Sequence, residues 1–206
     1  PDMRLIDREE VARRLTYDMA IPIVREAMIA LSAGTTRQHL RSIIPLAQGR
    51  MFGIMPGALG ETAPFGAKLI SVFPDNFAKG VQSHQGVIVL FDPQTGAPVC
   101  VVHAGEVTAI RTAAASAVAT HALARPQASR LALLGYGEQA MTHARAIAKV
   151  RKLSAISVWG RDAVRSQAFA RKLETEVGVP VVPHAELEPA VSDADIICTL
   201  TPAAEP

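Results

Sequence analysis

The six residues Gly135-Tyr136-Gly137-Glu138-Gln139-Ala140 limit what this chain can fold into more than any other stretch. Their G-x-G-x-x-A spacing is weak by itself. Here an apolar run at 131–134 precedes it, a helical pattern through 150 follows, and a second apolar run at 155–159 begins about 20 residues after the first glycine. In that setting Gly135 makes the tight turn, Gly137 lets the backbone approach a pyrophosphate, and Ala140 permits close helix–strand packing. The amides that open the helix then meet phosphate charge. The competing reading is an ordinary strand–helix turn that needs glycine for positive φ.

The same alternation continues to the end of the chain. Strands are expected at 131–134, 155–159, 179–182 and 196–200, with helices through 150, at 163–177 and at 187–191. Strands that alternate with helices imply a parallel α/β sheet of Rossmann type. The first half reads differently. Asp7 and Glu10 have capping-box spacing and open a short helix through 15. Thr16 caps a second helix, which Gly34 ends. Short strands at 42–46, 51–55, 67–73, 87–91 and 99–103 are separated by glycine and proline, and Asp92-Pro93-Gln94-Thr95-Gly96 is a hairpin turn signal. Residues 105–124 form one long helix, small on every face around Thr112-Ala113-Ala114-Ala115-Ser116-Ala117, and Pro126 stops it. The expected organisation is α/β: a mixed N-terminal domain at 1–125 and a Rossmann dinucleotide-binding domain at 126–206, incomplete at its C-terminal end.

Composition excludes several functions. The chain is 49% hydrophobic and 19% charged, enough apolar residues for a core and too few charges for a disordered tail. A net charge of +2, from 21 basic and 19 acidic residues, gives no reason to expect nucleic acid or a membrane surface as partner. No apolar run is long enough to span a bilayer, and no signal-peptide run opens the sequence. Cys100 and Cys198 are too few and too far apart for a disulfide framework, so the cytoplasm is the expected compartment. The six histidines lack metal-ligand spacing, so no metal is expected; His121 and His143 fall within helices and read as structural.

Cofactor choice turns on the end of the second Rossmann strand, where an acidic residue ordinarily receives the ribose 2′-hydroxyl. Here the chain reads Trp159-Gly160-Arg161-Asp162. Arg161 suits a 2′-phosphate and can lie flat against adenine, which favours NADP(H) over NAD(H). Alternatively, Arg161 is a solvated surface residue and Asp162 caps the next helix. In the first half, Lys68 lies in an apolar strand, where desolvation would lower its pKa, and Arg41 and Arg111 suit a carboxylate. Periodicity alone does not lift these three above surface cations with buried stems.

Taken together, the segments resemble the ornithine cyclodeaminase/mu-crystallin family. The resemblance rests on Arg41-Ser42-Ile43-Ile44-Pro45, Met55-Pro56-Gly57, Gly66-Ala67-Lys68-Leu69, Phe73-Pro74-Asp75-Asn76, Ser83-His84-Gln85-Gly86, Leu90-Phe91-Asp92, Thr108-Ala109-Ile110-Arg111-Thr112-Ala113-Ala114, Leu123-Ala124-Arg125, the glycine-rich turn, and Ala194-Asp195-Ile196-Ile197-Cys198-Thr199. Their order holds along the whole chain. It implies a substrate and dimerisation domain joined to a Rossmann domain, a homodimer, and a substrate held between domains above the nicotinamide. It further implies that Arg41 grips the substrate carboxylate and that Lys68 hydrogen-bonds the substrate and assists proton transfer. Arg111 would contact substrate or cofactor. Ser83 would touch the cofactor, Glu138 and Gln139 would meet the pyrophosphate through their amides, and Thr199 and Thr201 would flank the nicotinamide.

The chemistry so implied is hydride exchange at the α-carbon of a small amino or cyclic imino acid. It takes the form of Δ1-pyrroline-2-carboxylate or ketimine reduction, or of ornithine cyclodeamination to proline. The alternatives are a non-catalytic NADPH or small-ligand binder of mu-crystallin type and an alanine dehydrogenase. Two departures stand out. Where relatives carry an acidic residue before the helix of Arg111, this chain has Val102-His103-Ala104-Gly105. Relatives also continue for roughly another hundred residues, holding the expected acid/base aspartate and the rest of the Rossmann sheet. On that expectation the 206-residue chain by itself is unstable or inactive, and 201–206 lead into a further element.

Overall fold

The computed structural model describes residues 2–201, apart from the side chains at 77 and 78. The expectation about 202–206 lies outside the described residues. Close contacts divide the chain into two units: the chain up to Thr16 with Arg25–Thr108, and Tyr17–Val24 with the chain from Ala109 on.

The first unit is built on a seven-stranded sheet. β1 (Arg4–Ile6) precedes α1 (Arg8–Arg14) and α2 (Tyr17–Ser32), and the strands β2 (Arg37–Gln38), β3 (Ser42–Pro45), β4 (Met51–Ala58), β5 (Phe65–Val72), β6 (His84–Phe91) and β7 (Pro98–His103) follow. The order is β1-β7-β6-β5-β4-β2, with β3 also on β4; β1 is parallel to β7 and the other pairs are antiparallel. The Asp7 carboxylate accepts the Glu10 amide at 2.8 Å and so caps α1, while the Glu10 carboxylate pairs with Arg14 and Arg4. Asp92 accepts the amides of Gln94 and Thr95 in the β6–β7 turn, and Gly96 there has φ 71°. β4 runs past the expected end at Met55, through Pro56 and Gly57. Pro56 stands beside the break between β3, which pairs as far as Ile54, and β2, which pairs from Gly57. A residue without an N–H is tolerated at such a gap.

The second unit holds a four-stranded parallel sheet. Its strands are β8 (Arg130–Leu134), β9 (Ala155–Trp159), β10 (Val181–His184) and β11 (Ile196–Thr199), in the order β10-β9-β8-β11. The helices α4 (Glu138–Ala148), α5 (Ala163–Val177) and α6 (Leu187–Val191) connect them. This is the Rossmann-type arrangement expected from the alternating pattern. Its core is one apolar cluster in which Leu131, Leu133, Ile147, Ile156, Val158 and Leu173 are almost fully buried.

The long helix α3 (Ala104–Leu123) belongs to both units. Its Ala113 and Ala117 are fully buried against Ala146 of α4, and Tyr17, Ile21 and Val150 pack on the same cluster. That packing is why Tyr17–Val24 and the helix from Ala109 group with the second unit, where the sequence places a boundary after 125. The end of α3 is held by a residue that the sequence does not single out. The buried Arg151 guanidinium donates to the carbonyls of Thr120, His121, Ala124, Arg125 and Val150. A cation there meets the negative end of the helix dipole.

Candidate functional site

In the second unit the glycine-rich turn joins β8 to α4. Gly135 has φ 131°, a region that L side chains rarely adopt, and a Cβ there would lie 2.9 Å from the Leu200 carbonyl oxygen. This glycine is required by the fold. Gly137 differs. It is the N-cap of α4 with φ −85°, open to any residue, and a Cβ on it would meet nothing within 4 Å. Neither backbone conformation nor packing within the chain demands a glycine at 137. The space in front of it is the kind of cradle that a closely approaching phosphate fills. Behind it Ala140 is buried in the helix–sheet contact. Glu138 is exposed in the first turn of α4, and the buried Gln139 side-chain oxygen has no hydrogen-bond partner.

The end of β9 carries the second set of groups. Gly160 is buried, Arg161 is exposed, and Asp162 caps α5 by accepting the Arg165 amide at 3.0 Å. Both parts of the alternative reading, an exposed Arg161 and a capping Asp162, are therefore observed. They leave the Arg161 guanidinium accessible to an anion. Thr199 ends β11, and Thr201 follows it on the exposed surface. Within α4, His143 is buried. Its Nδ1 donates to the Gln139 carbonyl at 2.6 Å, so its neutral Nε2 accepts from the Ser116 hydroxyl at 3.0 Å. Burial lowers its pKa, and the Gln139 carbonyl partly offsets this. His143 is structural, whereas His121 is exposed. Burial pushes the Cys198 thiol up to about 11, so it is no nucleophile.

In the first unit, Lys68 lies mid-strand on β5, opposite Met55 of β4 and Ile88 of β6. Its Nζ donates to the Thr108 hydroxyl on α3 at 3.3 Å. Sequence reasoning did not single out Thr108; the signal was its place three residues before Arg111, one helical turn away. Arg41 directly precedes β3, whose ladder opens at Ser42 opposite Ile54. It therefore enters the sheet one position from Met55, the residue across from Lys68, about two strand spacings or ~10 Å away. Arg41 is exposed. Ser83, half-buried before β6, shares a hydrogen bond with His84 Nδ1 at 2.8 Å, and its carbonyl accepts the Phe73 amide. Arg111 is exposed on α3, and partial desolvation of its guanidinium lowers its pKa from the usual arginine value. At the start of α3, His103 Nδ1 accepts the Glu106 amide at 3.2 Å. The histidine thus does the capping work that an aspartate at the same position would do.

Against known families, residues 2–206 match the model of the ornithine cyclodeaminase/mu-crystallin family. The chain belongs to this family. Among its curated relatives, the Δ1-pyrroline-2-carboxylate reductase of Bacillus cereus is 33% identical over 205 residues, covering 99% of this chain and 63% of the relative. The ketimine reductase mu-crystallin of Mus musculus is 32% identical over 206 residues, covering 98% and 64%. Among solved structures, the Δ1-pyrroline-2-carboxylate reductase of Thermococcus litoralis, in complex with NADH and L-proline, superposes with a TM-score of 0.91 at 29% identity. That match covers 96% of this chain and 61% of the other. The chain thus spans somewhat under two thirds of the length of these relatives. Among the described residues, no helix is long and apolar enough to cross a membrane.

Proposed function

We propose that the protein is an NAD(P)-dependent enzyme that transfers hydride at the α-carbon of a small amino or cyclic imino acid. Reduction of Δ1-pyrroline-2-carboxylate or a related cyclic ketimine is the leading reaction, with ornithine cyclodeamination second. The observation that carries this is Gly137, a glycine that the chain itself has no use for, at the helix start where a pyrophosphate is received. The names of the curated relatives, reductases of pyrroline-2-carboxylate and of ketimines, support the substrate class.

In this reading Gly135 and Gly137 shape the turn, and the amides of Glu138 and Gln139 hold the pyrophosphate. Arg161 receives a 2′-phosphate, which favours NADP(H), with NAD(H) also accepted. Thr199, Thr201 and Ser83 complete the cofactor contacts. The nicotinamide, when bound, supplies or accepts the hydride. Arg41 grips the substrate carboxylate through a bidentate pair of N–H donors. Lys68, held by Thr108, hydrogen-bonds the substrate on its carboxylate side. That role is favoured over general acid at the imine nitrogen, because an iminium is itself positive. Arg111 adds a second cation for substrate or cofactor. We also propose a homodimer; exposed Met28, Ile29 and Leu31 on α2 and Ile43 and Ile44 on β3, all in the first unit, support an apolar contact.

The test is turnover. Purified protein is assayed with Δ1-pyrroline-2-carboxylate and NADPH, and separately with ornithine and NAD. NADPH oxidation that depends on the imine supports the reductase. Saturable NADPH binding with no turnover on either substrate would instead leave a binder without catalysis.

A further inference from the structure

The end of β9 holds a feature that the motif does not explain. A Cβ on Gly160 would lie 2.1 Å and 2.2 Å from two ring carbons of Tyr136. The phenol ring therefore fills the space into which a side chain at 160 would grow. In a dinucleotide fold that position ordinarily supplies the carboxylate for the ribose 2′-hydroxyl. Here no acidic residue fits at 160 while Tyr136 keeps its place. The next carboxylate along, Asp162, accepts the Arg165 amide as the cap of α5. The Arg165 guanidinium stands over the Tyr136 ring, 5.4 Å from its centroid. Arg165 lies in the first turn of α5, where the helix dipole favours an anion.

We propose that Tyr136 and Arg165 complete, with Arg161, a subsite for the 2′-phosphate of NADP(H). This deepens the proposed function and rests on its dinucleotide reading. Arg165 is a specificity-determining residue that binds the phosphate by charge-assisted hydrogen bonds. Tyr136 is a positioning residue. Its ring excludes a carboxylate from 160 and restricts the Arg165 side chain by a cation–π contact. A guanidinium just past the end of β9 and another in the first turn of α5, with the carboxylate position closed by an aromatic ring, suit a phosphate dianion better than a pair of hydroxyls.

The test is a fluorescence titration of NADPH and NADH against the purified protein and three variants. Arg165→Gln is expected to raise the Kd for NADPH about tenfold, the loss of one charged hydrogen bond, and to leave NADH within about twofold. Tyr136→Leu should shift the same ratio in the same direction by about threefold. Tyr136→Phe keeps the ring and should preserve the wild-type ratio. Equal weakening of both nucleotides, or no change in Arg165→Gln, overturns the subsite while the dinucleotide reading stands. Wild-type protein that binds neither nucleotide overturns both, and that failure is visible before any variant is made.

Discussion

Gly135 and Gly137 are two residues apart in one motif, yet the structure gives them different duties, and replacing each with alanine separates them. Gly135→Ala forces a side chain into φ 131°, at a cost of about 1–3 kcal/mol from the backbone alone. Its Cβ also meets the Leu200 carbonyl oxygen at 2.9 Å, so the Leu200 backbone must shift and the cost rises further. Gly137→Ala meets open space at an ordinary φ of −85°. Alanine is a poorer N-cap than glycine, but it also narrows the unfolded ensemble. These effects oppose each other, and the net change is within about 1 kcal/mol. Cofactor binding behaves oppositely. A methyl at 137 holds the pyrophosphate away from the helix amides, and losing one charge-assisted hydrogen bond of about 1.5–3 kcal/mol raises Kd about 10- to 100-fold. Urea denaturation and NADPH titration of both variants measure the two axes. Gly137→Ala that unfolds the protein as Gly135→Ala does, or that binds NADPH within about twofold of wild type, refutes the reasoning.

Three further outcomes follow from particular contacts. Lys68→Ala should abolish turnover and leave the NADPH Kd near the wild-type value; steady-state kinetics within a few-fold of wild type would remove Lys68 from the reaction. Arg151→Met keeps the apolar stem but leaves the carbonyls at the end of α3 without their cation, a loss on the order of 3 kcal/mol readable as a lower urea midpoint. His143 is held neutral by burial, so its folded pKa lies below the unfolded value of about 6.5. At lower pH the unfolded chain binds the proton first. Stability is therefore complete above about pH 6.5 and falls as pH drops from there toward the folded pKa. The melting temperature between pH 7 and pH 5 should fall more in the wild type than in His143→Gln, and equal slopes would contradict this.

Local chemistry made much of the fold legible. β9, α5 and α6 begin and end where the pattern places them. α5 shows why: Asp162 caps its start, and Gly178, with φ 69°, ends it. The elements that the pattern missed owe their existence to distant partners. β1 and β2 are three and two residues long and form only because β7 and β4 offer free edges. Pro56-Gly57 reads locally as a turn, yet β5 keeps it in the sheet. The same division holds at the candidate site. The motif located the glycine-rich turn, but it could not tell the glycine required by the fold from the one that the fold leaves unexplained. Tyr136 over Gly160, Thr108 against Lys68 and Arg151 under the end of α3 join residues 24 to 40 positions apart, and no spacing rule reports such contacts.

The proposed reaction is hydride transfer between a nicotinamide bound at the glycine-rich turn and the α-carbon of a cyclic imino acid. The direct measurement supplies NADPH stereospecifically deuterated at C4 of the nicotinamide, on each face in turn, together with Δ1-pyrroline-2-carboxylate, and analyses the proline formed by mass spectrometry and NMR. With one of the two labelled faces, each proline should carry one deuterium, at its α-carbon, for each cofactor oxidised. Proline without deuterium from either face, or cofactor oxidation that does not depend on the imine, would rule this reaction out.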